Sequence, residues 1–241
     1  MPAGTRNHLA LDLGLDRANV VGALDAFTDG IERRIDLATV NGRTFVNNVS
    51  LGLHAEIVQS PDYRAAKLRT TATMLPDLLG SAVTPLDLRY VEPGGEQRHT
   101  AHLILVSNNP YQLAPGGGLG TRERIDRGLL GIVTVMIAGA GDAQKFLTLQ
   151  AASQGRRFHG WVEWSAPRFE VGSGATVQIG VDGEALALEP PVVFESRPGA
   201  LRVRLPRHAL RVSPASRATR VLSGSTLAQL GRVATGKPGS G

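Results

Sequence analysis

Residues 35–47 of the chain read Ile-Asp-Leu-Ala-Thr-Val-Asn-Gly-Arg-Thr-Phe-Val-Asn. An Asn-Gly pair between two apolar runs is a strong β-hairpin signal, because both residues tolerate the positive φ angles of a two-residue turn. We therefore predict a strand over residues 31–40, a tight turn at Asn41-Gly42 and a partner strand over residues 44–57.

Helical patterns flank this hairpin. Apolar spacing of three and four residues predicts helices over residues 7–15, 18–27 and 63–79. From residue 86 onward the chain shows short apolar runs separated by Gly and Pro, with one short helix expected over residues 143–153. Many short strands with such turns indicate a β-sandwich or barrel. The expected strands cover residues 86–91, 102–106, 132–137, 158–164, 176–179, 192–194 and 201–205.

The composition narrows the possible chemistry. Hydrophobic residues make up 42% and charged residues 20% of the 241 residues, which is the balance of a globular protein. The chain has no Cys, which excludes disulfides, thiolate zinc sites and Cys nucleophiles and fits a reducing cytoplasm. No apolar run reaches the ~20 residues of a membrane-spanning helix, and the first residues lack a signal-peptide pattern. We expect a soluble intracellular chain.

The charge is distributed unevenly along the chain. The net charge is +5, but residues 201–241 contain seven Arg, one Lys and no acidic residue, so this end carries +8 and the remainder −3. A basic end predicts an anionic partner such as a phosphate or a membrane surface. Nucleic acid is not expected as a partner, because no aromatic residues are interleaved with these cations.

Three local motifs are compatible with a ligand-binding or catalytic site, but each also has a simpler structural explanation. Gly4 and Thr5 precede a predicted helix, whose free N–H groups suit a phosphate, although taken alone the pattern favours Thr5 or Asn7 as a simple helix cap. The Gly triplet at residues 116–118 suits either a close approach to a ligand or an ordinary loop. The Asp-Gly pair before Glu184 is explained by a hairpin turn, which leaves Glu184 itself unexplained.

The order and spacing of these motifs resemble the diacylglycerol kinase catalytic-domain family of lipid kinases, from residue 4 to about residue 206. The family includes bacterial diacylglycerol kinases and sphingosine-kinase-like proteins. The matching segments are GTRNHLA and the following DLGL at residues 4–15, the hairpin at residues 35–47, the Asn-Asn-Pro-Tyr to Gly-Gly-Gly loop at residues 108–118, residues 126–133, Asp-Gly-Glu at residues 182–184 and PGALRV at residues 198–203.

The resemblance implies an α/β domain that binds ATP and a β-sandwich domain that helps to bind the lipid. The expected fold class is α+β, a remnant of an α/β nucleotide-binding domain followed by a β-sandwich domain. We expect the remnant of the ATP-binding domain at residues 1–57 and the lipid-binding sandwich, with a helical insertion, at residues 58–200. Residues 201–215 would form a strand that returns to the first domain, and residues 216–241 a basic flexible tail.

The resemblance also assigns roles to single residues. Gly4, Thr5 and Asn7 would contact ATP. Glu184 would act as the base for the lipid hydroxyl, since the attacking oxygen has to lose its proton during transfer.

A magnesium site is implied in the same way. Asp36 matches an acidic position in the magnesium network of the family, and residues 124–129 match a loop that holds a structural magnesium ion, partly through carbonyl oxygens. Magnesium is a hard cation that takes oxygen ligands. The expected ligands are Asp36, Asp126 and Leu129, and the expected cofactors are ATP and Mg²⁺.

The chain departs from the family pattern at three places. The Gly-Gly-Asp-Gly-Thr nucleotide motif that should precede residue 4 is absent. His8 replaces an Asp and either binds phosphate or lies at the surface, and Arg127 replaces an Asp of the magnesium loop. A guanidinium cannot ligate magnesium and repels it. We therefore expect an N-terminally truncated family member with little kinase activity of its own.

The expected function is transfer of the ATP γ-phosphate to the hydroxyl of a diacylglycerol or sphingoid-like lipid. A non-catalytic lipid- or membrane-binding module is the alternative. The expected partners are the lipid substrate and an anionic membrane surface, and loss of part of the parent sheet would favour a homodimer. The expected location is the cytoplasm, with peripheral membrane association.

Overall fold

The computed structural model describes residues 7–16, 19–52, 85–112, 121–152, 154–209 and 213–214. The chain divides into two compact units. The first unit comprises residues 1–32, 111–124 and 204–241, and the second comprises residues 33–110 and 125–203. These bounds differ from those of the predicted domains, whose assignment to nucleotide and lipid binding stays a prediction.

The described residues form three α-helices and fourteen strands, so the fold class is α+β as predicted. The helices are α1 His8–Asp12, α2 Asp25–Asp29 and α3 Ala140–Ala151, with 3₁₀ turns at Gly22–Leu24 and Gly155–Arg157. The strands are β1 Gly30–Val40, β2 Arg43–Phe45, β3 Asn48–Gly52, β4 Tyr90–Val91, β5 Gln97–Arg98, β6 Leu103–Asn108, β7 Tyr111–Gln112, β8 Thr121–Arg122, β9 Leu130–Val135, β10 Trp161–Ala166, β11 Arg168–Val171, β12 Val177–Val181, β13 Glu184–Leu188 and β14 Val192–Pro206.

The second unit is a β-sandwich. A four-stranded sheet has the order β11-β14-β1-β2, and an antiparallel six-stranded sheet has the order β10-β9-β6-β3-β12-β13. The two sheets share one apolar core, because alternate side chains of their strands point to the same side. Its side chains include Val40, Phe45 and Phe194 from the smaller sheet and Leu51, Ile104 and Ile132 from the larger one.

The predicted hairpin at Asn41-Gly42 is confirmed. Asn41 has a φ of 44° and Gly42 a φ of 80°, and Val40 pairs with Arg43 across the turn. The prediction of one continuous partner strand over residues 44–57 is wrong, because β2 ends at Phe45 and β3 begins at Asn48 in the other sheet. The chain therefore crosses between the sheets within two residues of β2, and residues 53–57 lie outside the described part.

Two further expectations about strands need correction. Residues 192–194 and 201–205, predicted as separate strands, belong to the single strand β14. Gly199 adopts a φ of 60° within it, and its N–H donates to a side chain of β1. The strands β5, β7, β8, β11 and β13 were not predicted from the sequence. The predicted helix over residues 63–79, the Gly triplet at residues 116–118 and the basic tail lie outside the described residues.

The first unit contains α1, α2 and the ribbon formed by β7 and β8. Apolar residues of these segments are buried, including Ala10, Leu13 and Ala26. The unit also buries two charged side chains, Asp12 and Arg122, which pair with each other. No helix among the described residues combines the length and the apolarity that a membrane span requires.

Candidate functional site

Glu184 lies at the tip of the hairpin that joins β12 and β13. Asp182 and Gly183 form its turn with φ angles of 49° and 94°, and Val181 pairs with Glu184. The Glu184 side chain is 75% exposed, and its Oε2 lies 3.0 Å from Nη2 of Arg43 on β2. The predicted base is therefore a surface carboxylate that a solute can reach, held beside one cation.

The turn before Glu184 is anchored to the crossing between β2 and β3. The Asp182 carboxylate accepts the N–H groups of Val46 at 2.8 Å, Asn47 at 2.8 Å and Asn48 at 3.1 Å. These three amides follow the end of β2, and they need acceptors outside the four-stranded sheet. Asp182 thus accounts for the strand break and fixes the position of Glu184 relative to β2.

The other end of β2 is anchored as well. Asn41 exchanges two hydrogen bonds with Val193, since its backbone N–H donates to the Val193 carbonyl at 2.9 Å and its Oδ1 accepts the Val193 N–H at 2.7 Å. Its Nδ2 donates to the Glu189 carbonyl at 3.3 Å. Arg43 therefore sits on a three-residue strand held at both ends, which suits a residue that has to present its side chain in one place.

Asp36, the predicted magnesium-network residue, is buried on β1. Its Oδ1 accepts the N–H of Gly199 at 2.8 Å, and its Oδ2 accepts the N–H of Gly128 at 2.7 Å and Nδ2 of Asn109 at 3.1 Å. Its backbone N–H donates to the carbonyl of Ile125 at 2.8 Å. One carboxylate thus holds two separate backbone segments against β1.

Two asparagines that follow each other complete this network. Asn108 donates through Nδ2 to the carbonyls of Asp36 at 2.9 Å and Val46 at 3.2 Å. Asn109 adopts a φ of 67°, donates its N–H to the carbonyl of Leu129 at 3.0 Å and accepts the N–H of Arg127 at 3.0 Å. The sequence marked this pair as part of a motif, but its structural role depends on contacts with segments far away in the chain.

The predicted magnesium ligands Asp36, Asp126 and Leu129 lie around this network. Asp126 pairs with Arg33 at 3.3 Å, and the Leu129 carbonyl and the Asp36 carboxylate both accept protein N–H groups. Within the described residues, no three His, Cys, Asp or Glu side chains come close enough to hold a metal ion. The residues present here do not suit a magnesium ion, and magnesium binding stays a prediction.

The predicted nucleotide-contacting residues are described only in part. Asn7 takes the N-cap position of α1 with a φ of 46°, and its side chain makes no capping hydrogen bond. Simple capping by the Asn7 side chain therefore does not explain this residue. Gly4 and Thr5 lie outside the described residues. His8, whose role the sequence left open, is half-buried at the start of α1.

Similarity to known proteins identifies the family of this α+β chain. A Pseudomonas aeruginosa (strain UCBPP-PA14) protein named "Probable lipid kinase YegS-like" is 30% identical over 210 residues, which cover 86% of this chain and 67% of that protein. The diacylglycerol kinase of Bacillus subtilis (strain 168) is 24% identical over 197 residues, which cover 76% of this chain and 61% of the kinase. The chain belongs to this lipid kinase family, which includes the YegS-like proteins and diacylglycerol kinases.

Solved structures agree on the fold. Two crystal structures from Bacillus anthracis str. Sterne, one described as "a putative diacylglycerol kinase" and one as a diacylglycerol kinase, superpose with TM-scores of 0.62 and 0.54 at 21% and 17% identity. Each covers 86% of this chain, which in turn covers 67% and 66% of those proteins. No family model matches the chain.

Proposed function

We propose that this chain carries the lipid side of a phosphoryl-transfer site that moves the γ-phosphate of ATP to the hydroxyl of a diacylglycerol or sphingoid-like lipid. The observation that carries the proposal is the position of Glu184, an exposed carboxylate on an anchored hairpin in a member of the lipid kinase family. Mg²⁺ would enter with ATP and neutralise phosphate charge.

In the proposed reaction the lipid oxygen attacks the γ-phosphorus of ATP. The new O–P bond forms as the bond to the ADP oxygen breaks, and the hydroxyl proton passes to Glu184. Arg43 keeps the carboxylate in one orientation, since the two side chains are 3.0 Å apart and β2 is held at both ends. No step requires magnesium on the loop beside Asp36.

The nucleotide side of the site is a separate part of the proposal. Gly4, Thr5 and Asn7 would contact ATP at the start of α1. The 241 residues contain no Gly-Gly-Asp-Gly-Thr segment, and phosphoryl transfer depends mainly on positioning the phosphates. We therefore propose that the 241-residue chain by itself transfers little phosphate.

Activity assays test both parts. The chain alone and a chimera that adds the segment with the Gly-Gly-Asp-Gly-Thr motif from a family member would be incubated with labelled ATP and micelles of diacylglycerol or sphingosine. We expect labelled lipid from the chimera, a loss of at least about 100-fold with Glu184→Gln, and little product from the chain alone. Strong activity of the unmodified chain would refute the impairment, and an active Glu184→Gln chimera would refute the role of Glu184.

A lipid- or membrane-binding module without catalysis is the second candidate. The +8 charge of residues 201–241 favours it, because basic segments bind anionic membrane surfaces. Under either function we propose a cytoplasmic protein that associates peripherally with membranes, and we propose that it can form a homodimer. Flotation with phosphatidylserine vesicles at low salt should recover the chain, whereas vesicles of neutral lipid should not. Absence from the anionic vesicle fraction would contradict the membrane proposal.

A further inference from the structure

We propose that the loop of residues 125–129 is held against β1 by Asp36 and Asn109 in place of a magnesium ion. The Asn109 amide provides the positive partner that a cation would otherwise supply to the Asp36 carboxylate. The loop is held in this way whether or not the chain transfers phosphate.

The Asp36 carboxylate already accepts hydrogen bonds from the protein. Three N–H donors, from Gly128, Gly199 and Asn109, point at these two oxygens over 2.7 to 3.1 Å, and Asp36 is 1% exposed. Each donor directs a positively polarised hydrogen at an oxygen that a metal ion would need as a ligand. These donors take up three of the roughly four lone-pair positions of the carboxylate, including both positions on Oδ2.

The other oxygens of the loop are also engaged. The Leu129 carbonyl accepts the Asn109 N–H at 3.0 Å, and the Ile125 carbonyl accepts the Asp36 N–H at 2.8 Å. The Asp126 carboxylate lies 3.3 Å from the guanidinium of Arg33. Each of these candidate ligands thus already has a partner within the protein.

The charged residues around the loop also disfavour a bound magnesium ion. Arg127 lies on the loop itself, Arg33 pairs with Asp126, and Arg34 donates to the Gly199 carbonyl at 3.3 Å. Three guanidinium groups therefore accompany the two carboxylates of Asp36 and Asp126. Magnesium takes oxygen ligands, and guanidinium groups cannot serve as ligands and repel the ion.

The loop is also held without an ion. Four of its five residues make a backbone hydrogen bond to Asp36 or Asn109, namely Ile125, Arg127, Gly128 and Leu129. Asn109 accepts through its Oδ1 and donates through its backbone N–H, and it adopts a φ of 67°, which Asn tolerates better than most residues. Asp36 and Asn109 together perform the structural role that a bound ion would have.

The first test uses the unmodified chain without nucleotide. Thermal unfolding and amide hydrogen exchange would be measured in EDTA and in MgCl₂. We expect the same Tm in both, and the same exchange protection for the amides of Gly128 and Gly199. A loop-bound ion at roughly 100 times its Kd would raise the Tm by several degrees. Such a rise, or loss of protection in EDTA, would overturn the inference.

The second test converts the amide into a carboxylate. Asn109→Asp places an oxygen where Nδ2 now lies 3.1 Å from Asp36, so two carboxylates face each other, and a cation between them would relieve their repulsion. We expect a lower Tm in EDTA and a partial recovery in MgCl₂. Asn41→Asp is the matched control, because Asn41 also has a positive φ but lies on an exposed turn. A magnesium response of Asn109→Asp no larger than that of the control would contradict the role of the Asn109 amide.

Discussion

Asp12 and Arg122 lie 110 residues apart in the sequence and form a salt bridge of 2.7 Å in which neither side chain is exposed. Asp12 also accepts the Arg122 Nε at 2.8 Å and the Arg122 backbone N–H at 2.7 Å. The Arg122 carbonyl accepts the hydroxyl of Ser213, and its guanidinium lies 5.5 Å from the ring centre of Tyr111. This pair therefore joins three separate stretches of the first unit.

Removing one partner of this pair should destabilise the first unit strongly. Asp12→Ala leaves the Arg122 charge buried without its carboxylate, and we expect a loss of about 3–5 kcal/mol in the free energy of unfolding. The double variant Asp12→Leu/Arg122→Met should be more stable than Asp12→Ala, because it leaves no buried charge. Denaturant unfolding would measure both. A double variant less stable than Asp12→Ala would contradict this account.

The same pair predicts a pH dependence. Burial raises the pKa of Asp12 above its ordinary value of 3.8, while Arg122 acts in the opposite direction. A carboxyl with a raised pKa keeps its proton to a higher pH in the folded state than in the unfolded state. Its contribution to stability is therefore full below pH 3.8 and is lost as the pH rises through the raised value.

The Asp12→Asn variant reports this contribution. The free energy of unfolding of the wild type minus that of Asp12→Asn should decrease as the pH rises from 3.8 toward neutrality. Urea unfolding at a series of pH values measures the difference. An increase over this interval would show that the folded pKa of Asp12 lies below its ordinary value.

The carboxylate of Asp182 should be essential for the crossing between the two sheets. Asp182→Asn keeps a residue that tolerates the φ of 49° but replaces one acceptor oxygen by an NH₂ group, and we expect a loss of about 1–3 kcal/mol. Asp182→Ala should lose about 1 kcal/mol more through backbone strain. Hydrogen exchange at the amides of Val46, Asn47 and Asn48 should accelerate in both variants, and unchanged exchange would exclude the proposed anchor.

The pair of Arg43 and Glu184 should contribute little to stability. Their side chains are 50% and 75% exposed, so water screens the interaction and we expect Glu184→Gln to change the unfolding free energy by less than about 1 kcal/mol. Thermal unfolding checks this. Arg168→Gln is a suitable comparison, since Arg168 forms an exposed pair with Glu195. A large destabilisation by Glu184→Gln would mean that its loss of activity cannot be assigned to catalysis.

Glycines in the second unit should respond differently to the same substitution. A Cβ at Gly131 on β9 would lie 2.6 Å from the Pro110 Cα and 2.6 Å from the Ser107 Oγ, so Gly131→Ala should cost about 1–3 kcal/mol. A Cβ at Gly141 in α3 would meet no atom within 4 Å, so Gly141→Ala should be neutral or stabilising by up to about 1 kcal/mol. Equal effects in denaturant unfolding would contradict the packing around β9.

Local rules predicted the parts of the fold that depend on neighbours in the chain. The turn at Asn41-Gly42 and the turn before Glu184 follow from residues that tolerate positive φ, and the structure has both. The break between β2 and β3 could not be predicted in this way. The apolar pattern continues through Val46, and the acceptor for its N–H is Asp182, 136 residues away.

The turns, most of the strands and the resemblance to lipid kinases could be predicted, because each depends on residue types at short spacing or in a fixed order. The role of each carboxylate depends instead on contacts that only the folded chain makes. Asp12, Asp36 and Asp182 accept backbone N–H groups from distant segments, whereas Glu184 remains exposed beside Arg43. Acidic side chains look similar in a sequence, but a hydrogen bond exists only where folding brings a donor within reach.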